Sequence, residues 1–338
     1  MKKFNVAIVG ATGLVGQELL DTLEKRQFPI ETIELLASEK SAGQVLMFNQ
    51  KPVKVKALTE ESFKNIDFAL FSAGSSISEK FAPIAAKAGA VVIDNTSFFR
   101  MKKDVPLVVP EVNGEATKNH NGIIANPNCS TAQLVMALKP IHDEFNIERV
   151  VISTYQSVSG AGKEALQELE SHSRYNLAGK EAEAEVFPHS MSFNVIPQID
   201  VFQENGYTKE EMKMIEETKK ILDPNIKVTA TAVRVPVFIS HSEAVNIQTT
   251  KPIDLDKLRT VLDNFSGVTV LDDPSSLTYP TPKDVAGKDD VYVGRIRKDV
   301  SIDNAVELWI VADNLKKGAA LNAVQIAEYL AKSTTSVH

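Results

Sequence analysis

The chain has 338 residues, 43% of them hydrophobic and 24% charged, a composition typical of globular proteins and a length that suggests two domains rather than one core. A net charge of -7 argues against nucleic acid or an anionic membrane surface as the main partner. One cysteine excludes an internal disulfide, no apolar run reaches the roughly 18 residues of a membrane span, and Met1-Lys2-Lys3 leads straight into a strand pattern without a signal-peptide core; a cytoplasmic protein is expected.

Phe4-Asn5-Val6-Ala7-Ile8-Val9 reads as a short apolar strand, Gly10-Ala11-Thr12-Gly13-Leu14-Val15-Gly16 as a turn, and the next run, with Leu19, Leu20 and Leu23 on one side, as a helix. Glycines at such a junction let the main chain approach a pyrophosphate, while the helix N-terminus presents N–H donors to it. The spacing is G-x-x-G-x-x-G, and its place at the first strand-to-helix turn is the context that makes a glycine motif informative. A dinucleotide is therefore expected against Gly10, Thr12, Gly13, Leu14, Val15 and Gly16.

The second strand, Ile33 to Ala37, ends at Ser38, with Lys40 and Ser41 just after it. An NAD site usually places Asp or Glu there for the ribose 2′-hydroxyl. Hydroxyls and a cation suit a 2′-phosphate instead, so NADP is favoured; Glu39 tempers this, and a solvated polar loop is the plainer alternative. Apolar strands Phe68 to Phe71 and Val91 to Asp94, separated by a helical stretch around Glu79 to Lys87, extend the pattern to a doubly wound parallel sheet. Ser72-Ala73-Gly74-Ser75-Ser76 and Asn95-Thr96-Ser97 leave the carboxyl ends of those strands, the edge at which such sheets bind ligands.

Cys129 stands in Asn126-Pro127-Asn128-Cys129-Ser130-Thr131-Ala132, a turn opening into the helical run from Thr131 to Leu138. Unpaired N–H groups and the positive end of the helix macrodipole favour thiolate over thiol there, which would make the sulfur a nucleophile. A small buried hydrophobe is the competing reading.

Beyond Cys129 the composition turns toward strands: Val150 to Tyr155, Lys227 to Val233 and Glu243 to Gln248, which read as an antiparallel or mixed sheet. They feed two polar segments, Gln156 to Gly162 and Arg234 to Glu243. The run Lys316 to Lys332 carries Ala320, Leu321, Val324, Ala327 and Leu330 on one helical face and is expected to pack back onto the first domain. Ser333 to His338 are expected to be a loose tail. A thiolate beside a nicotinamide cofactor suggests attack on a carbonyl, hydride transfer and a thioester between the two half-reactions. His241 could manage protons, and Arg100, Arg234 and Lys220 could hold carboxylate or phosphate, although a structural histidine and solvated ion pairs are the plainer alternatives.

Taken together these segments resemble the aspartate-semialdehyde dehydrogenase family. The resemblance runs along nearly the whole chain, through the Gly10 to Gly16 turn, Val109-Pro110-Glu111-Val112-Asn113, the Cys129 turn, Ser157-Val158-Ser159-Gly160-Ala161-Gly162, Arg234-Val235-Pro236 with His241-Ser242-Glu243, and Asp313 to Ala320. It implies an α/β fold: a Rossmann-type dinucleotide-binding domain over residues 1–128, with 315–338 packing back, and an α+β catalytic and dimerisation domain over 129–314. It also implies NADP-dependent reduction of β-aspartyl phosphate to aspartate β-semialdehyde, in lysine, threonine and methionine biosynthesis, by a homodimer without a metal. Carried onto these positions, Cys129 is the acyl-thioester nucleophile, His241 the acid/base and Gln156 the group orienting the substrate. Arg234 clamps the α-carboxylate, Glu217 the α-amino group, and Arg100 and Lys220 the phosphate, with Asn128 completing the substrate set. Ala73, Gly74, Ser159, Gly160 and Asn314 join Gly10 to Gly16, Ser38, Lys40 and Ser41 around the cofactor. N-acylglutamyl-phosphate reductase shares this chemistry, but its cysteine is typically followed by Tyr-Pro where this chain has Ser130-Thr131. An inactive nucleotide-binding regulator is disfavoured by the intact Cys129, Gln156 and His241.

Overall fold

The computed structural model describes residues 2–335. They form two compact units, one taking the residues up to Asn128 together with those from Ala319 onward, the other Cys129–Gly318. The second segment thus joins the first unit at Ala319, inside the helical run expected from Lys316.

The first unit is built on a parallel sheet of six strands in the order Lys56–Ala57, Ile30–Ala37, Phe4–Val9, Phe68–Phe71, Val91–Asp94 and Ile123–Ala125. Phe68–Phe71 and Ile123–Ala125 are buried at every position, the pattern of strands covered on both faces. The chain turns to opposite sides of Phe4–Val9 for its neighbours, so the carboxyl end of that strand is the topological switch point where such sheets open a crevice. Leu19, Leu20 and Leu23 of the helix Leu14–Lys25 pack in one apolar cluster with Phe4, Ile8, Leu35 and Leu70, and Ala323, Val324 and Ala327 of the helix Leu321–Thr335 join the same cluster. Arg26 and Glu328 tie these helices by two hydrogen bonds of 2.7 Å. The last helix continues to Thr335, so the loose tail expected from Ser333 is helical for its first residues; 336–338 lie outside the described residues. A turn of π-helix, Lys316–Ala320, precedes it.

The second unit has a mixed sheet of six strands in the order Lys227–Arg234, Ile147–Gln156, His241–Thr249, Ala305–Ala312, Val291–Lys298 and Val268–Val270. The two outer pairs are parallel and the inner ones antiparallel. The helix Cys129–Phe145 is buried from Ser130 to Leu138, as a helix enclosed on all sides must be, and it packs on four strands of the sheet and on the helices Lys209–Ile221 and Leu255–Asp263. It begins at Cys129 itself, earlier than the Thr131 start expected from the apolar run. The sheet's opposite face carries Tyr155, 38% exposed, with its ring 5.4 Å from that of Trp309.

Candidate active site

At the switch point of the first unit the glycines are there because nothing larger fits. Gly10 has φ +88°, and a Cβ on it would lie 2.8 Å from the Ser72 carbonyl oxygen; one on Gly16 would lie 2.2 Å from the carbonyl oxygen of Gly10. The main-chain N–H groups of Gly10 and Ala11 bond to Leu36 O at the end of the second strand, which draws the turn beside Ser38. No side chain caps the helix at Gly13 and its first turn holds no acidic residue. This N-terminus is chemically fit to receive an anion, and the residues present suit a dinucleotide pyrophosphate. Ser38 and Lys40 are exposed and Ser41 half-buried at the adjoining strand end. Ala73 lies against Gly10, and Gly74 (φ +93°) caps the helix Ser75–Lys87, again without a side-chain cap. Arg100 is buried, with its Nε donating to Asn126 O at 2.9 Å and its Nη2 to Asn95 O at 2.7 Å. Asn126 is bound by Asn322 at 2.6 Å and donates to Asn95 at 2.7 Å, so Arg100 braces the buried turn that reaches Asn128.

In the second unit the segments named from the sequence converge. The loop before His241 zips onto the turn after Gln156 through Val158 N–H to Val237 O and Ser159 N–H to Phe238 O. Asn314 locks them together: its Oδ1 accepts from Ser157 Oγ and Ser159 Oγ at 3.1 Å and from the Ser240 N–H at 2.9 Å, and its Nδ2 donates to Ser159 Oγ. The resemblance places Asn314 at the cofactor, and its amide also holds this turn. Ser240, a non-glycine residue with φ +78°, sits in the left-handed region just before His241, a strain of the kind that clusters at functional sites.

His241 is fully buried. Its Nδ1 faces the Ser157 N–H at 3.0 Å and Ser157 Oγ at 3.1 Å, and its Nε2 has no partner among the described residues. A main-chain N–H only donates, so Nδ1 accepts and the proton of the neutral ring is assigned to Nε2. Burial first, and Arg234 second, push the imidazole down to about 3, offset in part by the Ser240 carbonyl. The ring is therefore neutral at physiological pH and presents a donor.

Arg234 is buried at the end of its strand, with Nη1 bonded to Ser157 O at 2.8 Å. Burial opposes its charge, while Glu210 and Cys129 favour it. Gln156 Nε2 donates to Glu210 Oε1 at 3.3 Å, and Lys213 Nζ meets Glu210 Oε2 at 3.1 Å and Asp200 Oδ2 at 2.9 Å. Burial opposes the charge of Lys213 too, but Glu210 and Asp200 hold it above its usual value. A Cβ on Gly160 would stand 3.1 Å from Arg234 Nη1 and 3.5 Å from His241 Nε2, so a glycine keeps the space before both groups open. Gly318 packs against Cys129 in the same way, its virtual Cβ 2.7 Å from the cysteine Cβ.

The resemblance points to Glu217 and Lys220, but it is Glu210 that the structure sets beside Gln156 and Arg234, with Lys213 paired to it. All four lie on one face of the helix Lys209–Ile221; Glu217 is buried and Lys220 half-buried, further from the helix start. The signal was present: Thr208-Lys209-Glu210-Glu211 is a capping box, with Glu211 accepting from the Thr208 N–H at 2.7 Å and from the Ala232 N–H at 2.9 Å. That anchors the first turn, Glu210 included, to the strand that ends in Arg234. Among the described residues there is no group of three or more His, Cys, Asp or Glu fit to hold a metal ion, and no helix long and apolar enough to cross a membrane.

Two family models match the chain: semialdehyde dehydrogenase, NAD binding domain, over residues 5–120, and semialdehyde dehydrogenase, dimerisation domain, over 138–317. Aspartate-semialdehyde dehydrogenase of Aquifex aeolicus is 56% identical over 334 residues, 97% of this chain and 98% of that protein. The crystal structure of aspartate semialdehyde dehydrogenase II from Vibrio cholerae complexed with ASA superposes with a TM-score of 0.96 at 51% identity, over 98% of this chain and 99% of that one. The Candida albicans aspartate semialdehyde dehydrogenase with NADP gives 0.77 at 26% identity, over 97% and 98% of the chains.

Proposed function

The chain belongs to the aspartate-semialdehyde dehydrogenase family, and we propose that it catalyses the reversible, NADP-dependent reductive dephosphorylation of β-aspartyl phosphate to aspartate β-semialdehyde through a thioester on Cys129, in lysine, threonine and methionine biosynthesis. The observation that supports this best is the company kept by the single cysteine. It opens a buried helix, its charge is felt by the buried guanidinium of Arg234, and Arg234 shares the space before Gly160 with the unpartnered Nε2 of His241.

In this reading the Cys129 thiolate attacks the acyl phosphate, the C–S bond forms, and the C–O bond to phosphate breaks with its electron pair leaving on the phosphate. Arg234 holds the α-carboxylate with its planar fork. Glu210, which lies beside Arg234 and Gln156, takes the α-amino group in place of Glu217, and Lys213, bonded to Glu210, joins Arg100 in the phosphate role that the resemblance gave to Lys220. Bound NADPH would supply the hydride to the thioester carbon. His241 then donates Nε2–H to the oxygen that becomes an alkoxide, and the alkoxide collapses to the aldehyde by expelling the Cys129 thiolate. No proton has to pass through the imidazole in this sequence, which suits a ring whose Nδ1 is already committed to a main-chain donor; the acid/base role becomes that of an oxyanion-stabilising donor.

Preference for NADP over NAD rests on Ser38, Lys40 and Ser41 at the strand end, and the Candida albicans relative was solved with NADP. A homodimer is supported by the matched dimerisation domain and by Tyr155 exposed on the face of the second sheet; the cytoplasm is the compartment that a biosynthetic enzyme of this kind would occupy. The test is to follow NADP reduction with aspartate semialdehyde, with and without phosphate, and to offer an N-acylglutamate semialdehyde in parallel. Phosphate-dependent turnover of the first aldehyde alone supports the reading; turnover of the second alone, or of neither, overturns it.

A further inference from the structure

We propose that Glu243, paired with Gln133, is a positioning residue for the thioester chemistry, setting the helix that carries Cys129 against the strand that carries His241. The strand His241–Thr249 alternates its faces, so Glu243 points to the same side as His241, the side on which the helix Cys129–Phe145 packs. On that helix Gln133 follows Cys129 by four residues and shares its face. The Gln133 Nε2 reaches the main-chain carbonyl of His241 at 3.5 Å, and the Glu243 carboxyl lies beside Gln133.

Both residues are fully buried; among the described residues Gln133 Oε1 has no hydrogen-bond partner, and the Glu243 carboxyl has none but the Gln133 side chain. The neighbours of Glu243 across the sheet are Ile310 and Thr154, neither a cation. A carboxylate without a cation in such a place takes up a proton instead, and burial, outweighing the hydrogen bond of the Gln133 side chain, raises this one well above the usual carboxylate range. A protonated Glu243 is a donor, and the orphaned acceptor next to it is Gln133 Oε1. One bond, Glu243 O–H to Gln133 Oε1, satisfies both and completes a chain that runs from Glu243 through the Gln133 amide to the carbonyl of His241. A buried polar chain of this kind favours one arrangement over near alternatives, which an apolar contact would tolerate. The two groups it aligns, the nucleophile and the oxyanion donor, need relative placement to within about 0.5 Å.

The inference rests on the thioester reading, and phosphate-dependent turnover by the wild-type enzyme tests that reading separately. The inference itself is tested by comparing Glu243→Gln, Glu243→Leu and Gln133→Leu with wild type in that assay. Glu243→Gln cannot ionise but still donates, and should keep kcat within about threefold; Glu243→Leu fills similar space without a donor and should lose roughly 10- to 100-fold in kcat with KM changed less than about twofold. Alkylation of Cys129 by iodoacetamide should proceed at similar rates in all of them, because the nucleophile is displaced rather than deactivated. The proposal is overturned if folded Glu243→Leu keeps wild-type kcat, or if Glu243→Gln is impaired as much as Glu243→Leu. Should Glu243→Leu fail to fold, Gln133→Leu decides: a selective fall in kcat upholds the pairing and an unchanged kcat overturns it.

Discussion

Gly160→Ala isolates the geometry of the site with the smallest possible change. The φ of Gly160 is not in the left-handed region, so alanine can adopt the native main chain. Its methyl would stand 3.1 Å from Arg234 Nη1, roughly 0.3 Å inside an ordinary contact, and that nitrogen is held by a 2.8 Å bond to Ser157 O. Displacing it should cost about 1 kcal/mol of stability. The same methyl would lie 3.5 Å from His241 Nε2, where an accepting oxygen must come to about 2.9 Å, and so would screen the donor from the oxyanion. Loss of one such donor lowers kcat by about 10²- to 10³-fold, or roughly 3–4 kcal/mol of transition-state stabilisation. Steady-state kinetics of phosphate-dependent NADP reduction, with a thermal melt of both proteins, would show a small shift in Tm beside a large fall in kcat. If kcat stayed within about threefold of wild type in a folded variant, the space before Gly160 would not be where the reacting oxygen sits and the assignment of His241 would fail.

Cys129→Ser should retain fold and cofactor binding but lose nearly all turnover, and mass spectrometry should find an acyl adduct on Cys129 only in the wild type; substantial activity in the serine variant would end the covalent mechanism. Arg234→Lys keeps charge but not the planar fork, so kcat/KM for the semialdehyde should fall about 10²-fold or more, while Arg100→Ala should chiefly raise the phosphate requirement; proportional changes in both would refute separate anchors. Ser38→Asp should weaken NADP by charge repulsion and spare NAD, which cofactor titration measures, and equal use of both cofactors by wild type would contradict the NADP reading. The low pKa of His241, about 3 when folded against about 6.5 unfolded, means that the unfolded chain binds more protons between those values. Stability from this group is full above about pH 6.5 and is lost as pH falls toward 3. Relative to His241→Asn, wild type should lose roughly 2 kcal/mol more between about pH 7.5 and about pH 5. Glu243 titrates with the opposite sign but is common to both proteins and cancels, so parallel stability curves from denaturant unfolding would count against a neutral buried His241.

The strand, glycine turn and helix at Phe4 to Lys25 were legible in the sequence because their causes are local. A short, nearly continuous apolar run, a position that needs φ +88° with no room for a Cβ, and a leucine face at helical spacing each act over a few residues. Cys129 was legible for the same reason, since a turn and the helix it opens are neighbours in the chain. Tertiary structure decided the rest. The four charged residues Glu210, Lys213, Glu217 and Lys220 repeat along one helix face, and nothing in that local pattern says which turn meets Arg234; the Glu211 bond to the Ala232 N–H, across 21 residues, does. Likewise the amide of Asn314 closes on Ser157 and Ser159, more than 150 residues away. The direction of the proton on His241 follows from one main-chain N–H in the turn after another strand, and the isolation of Glu243 and Gln133 from solvent follows from a helix packing on a sheet. Burial and long-range hydrogen bonds belong to the assembled chain, so local spacing carries no record of them.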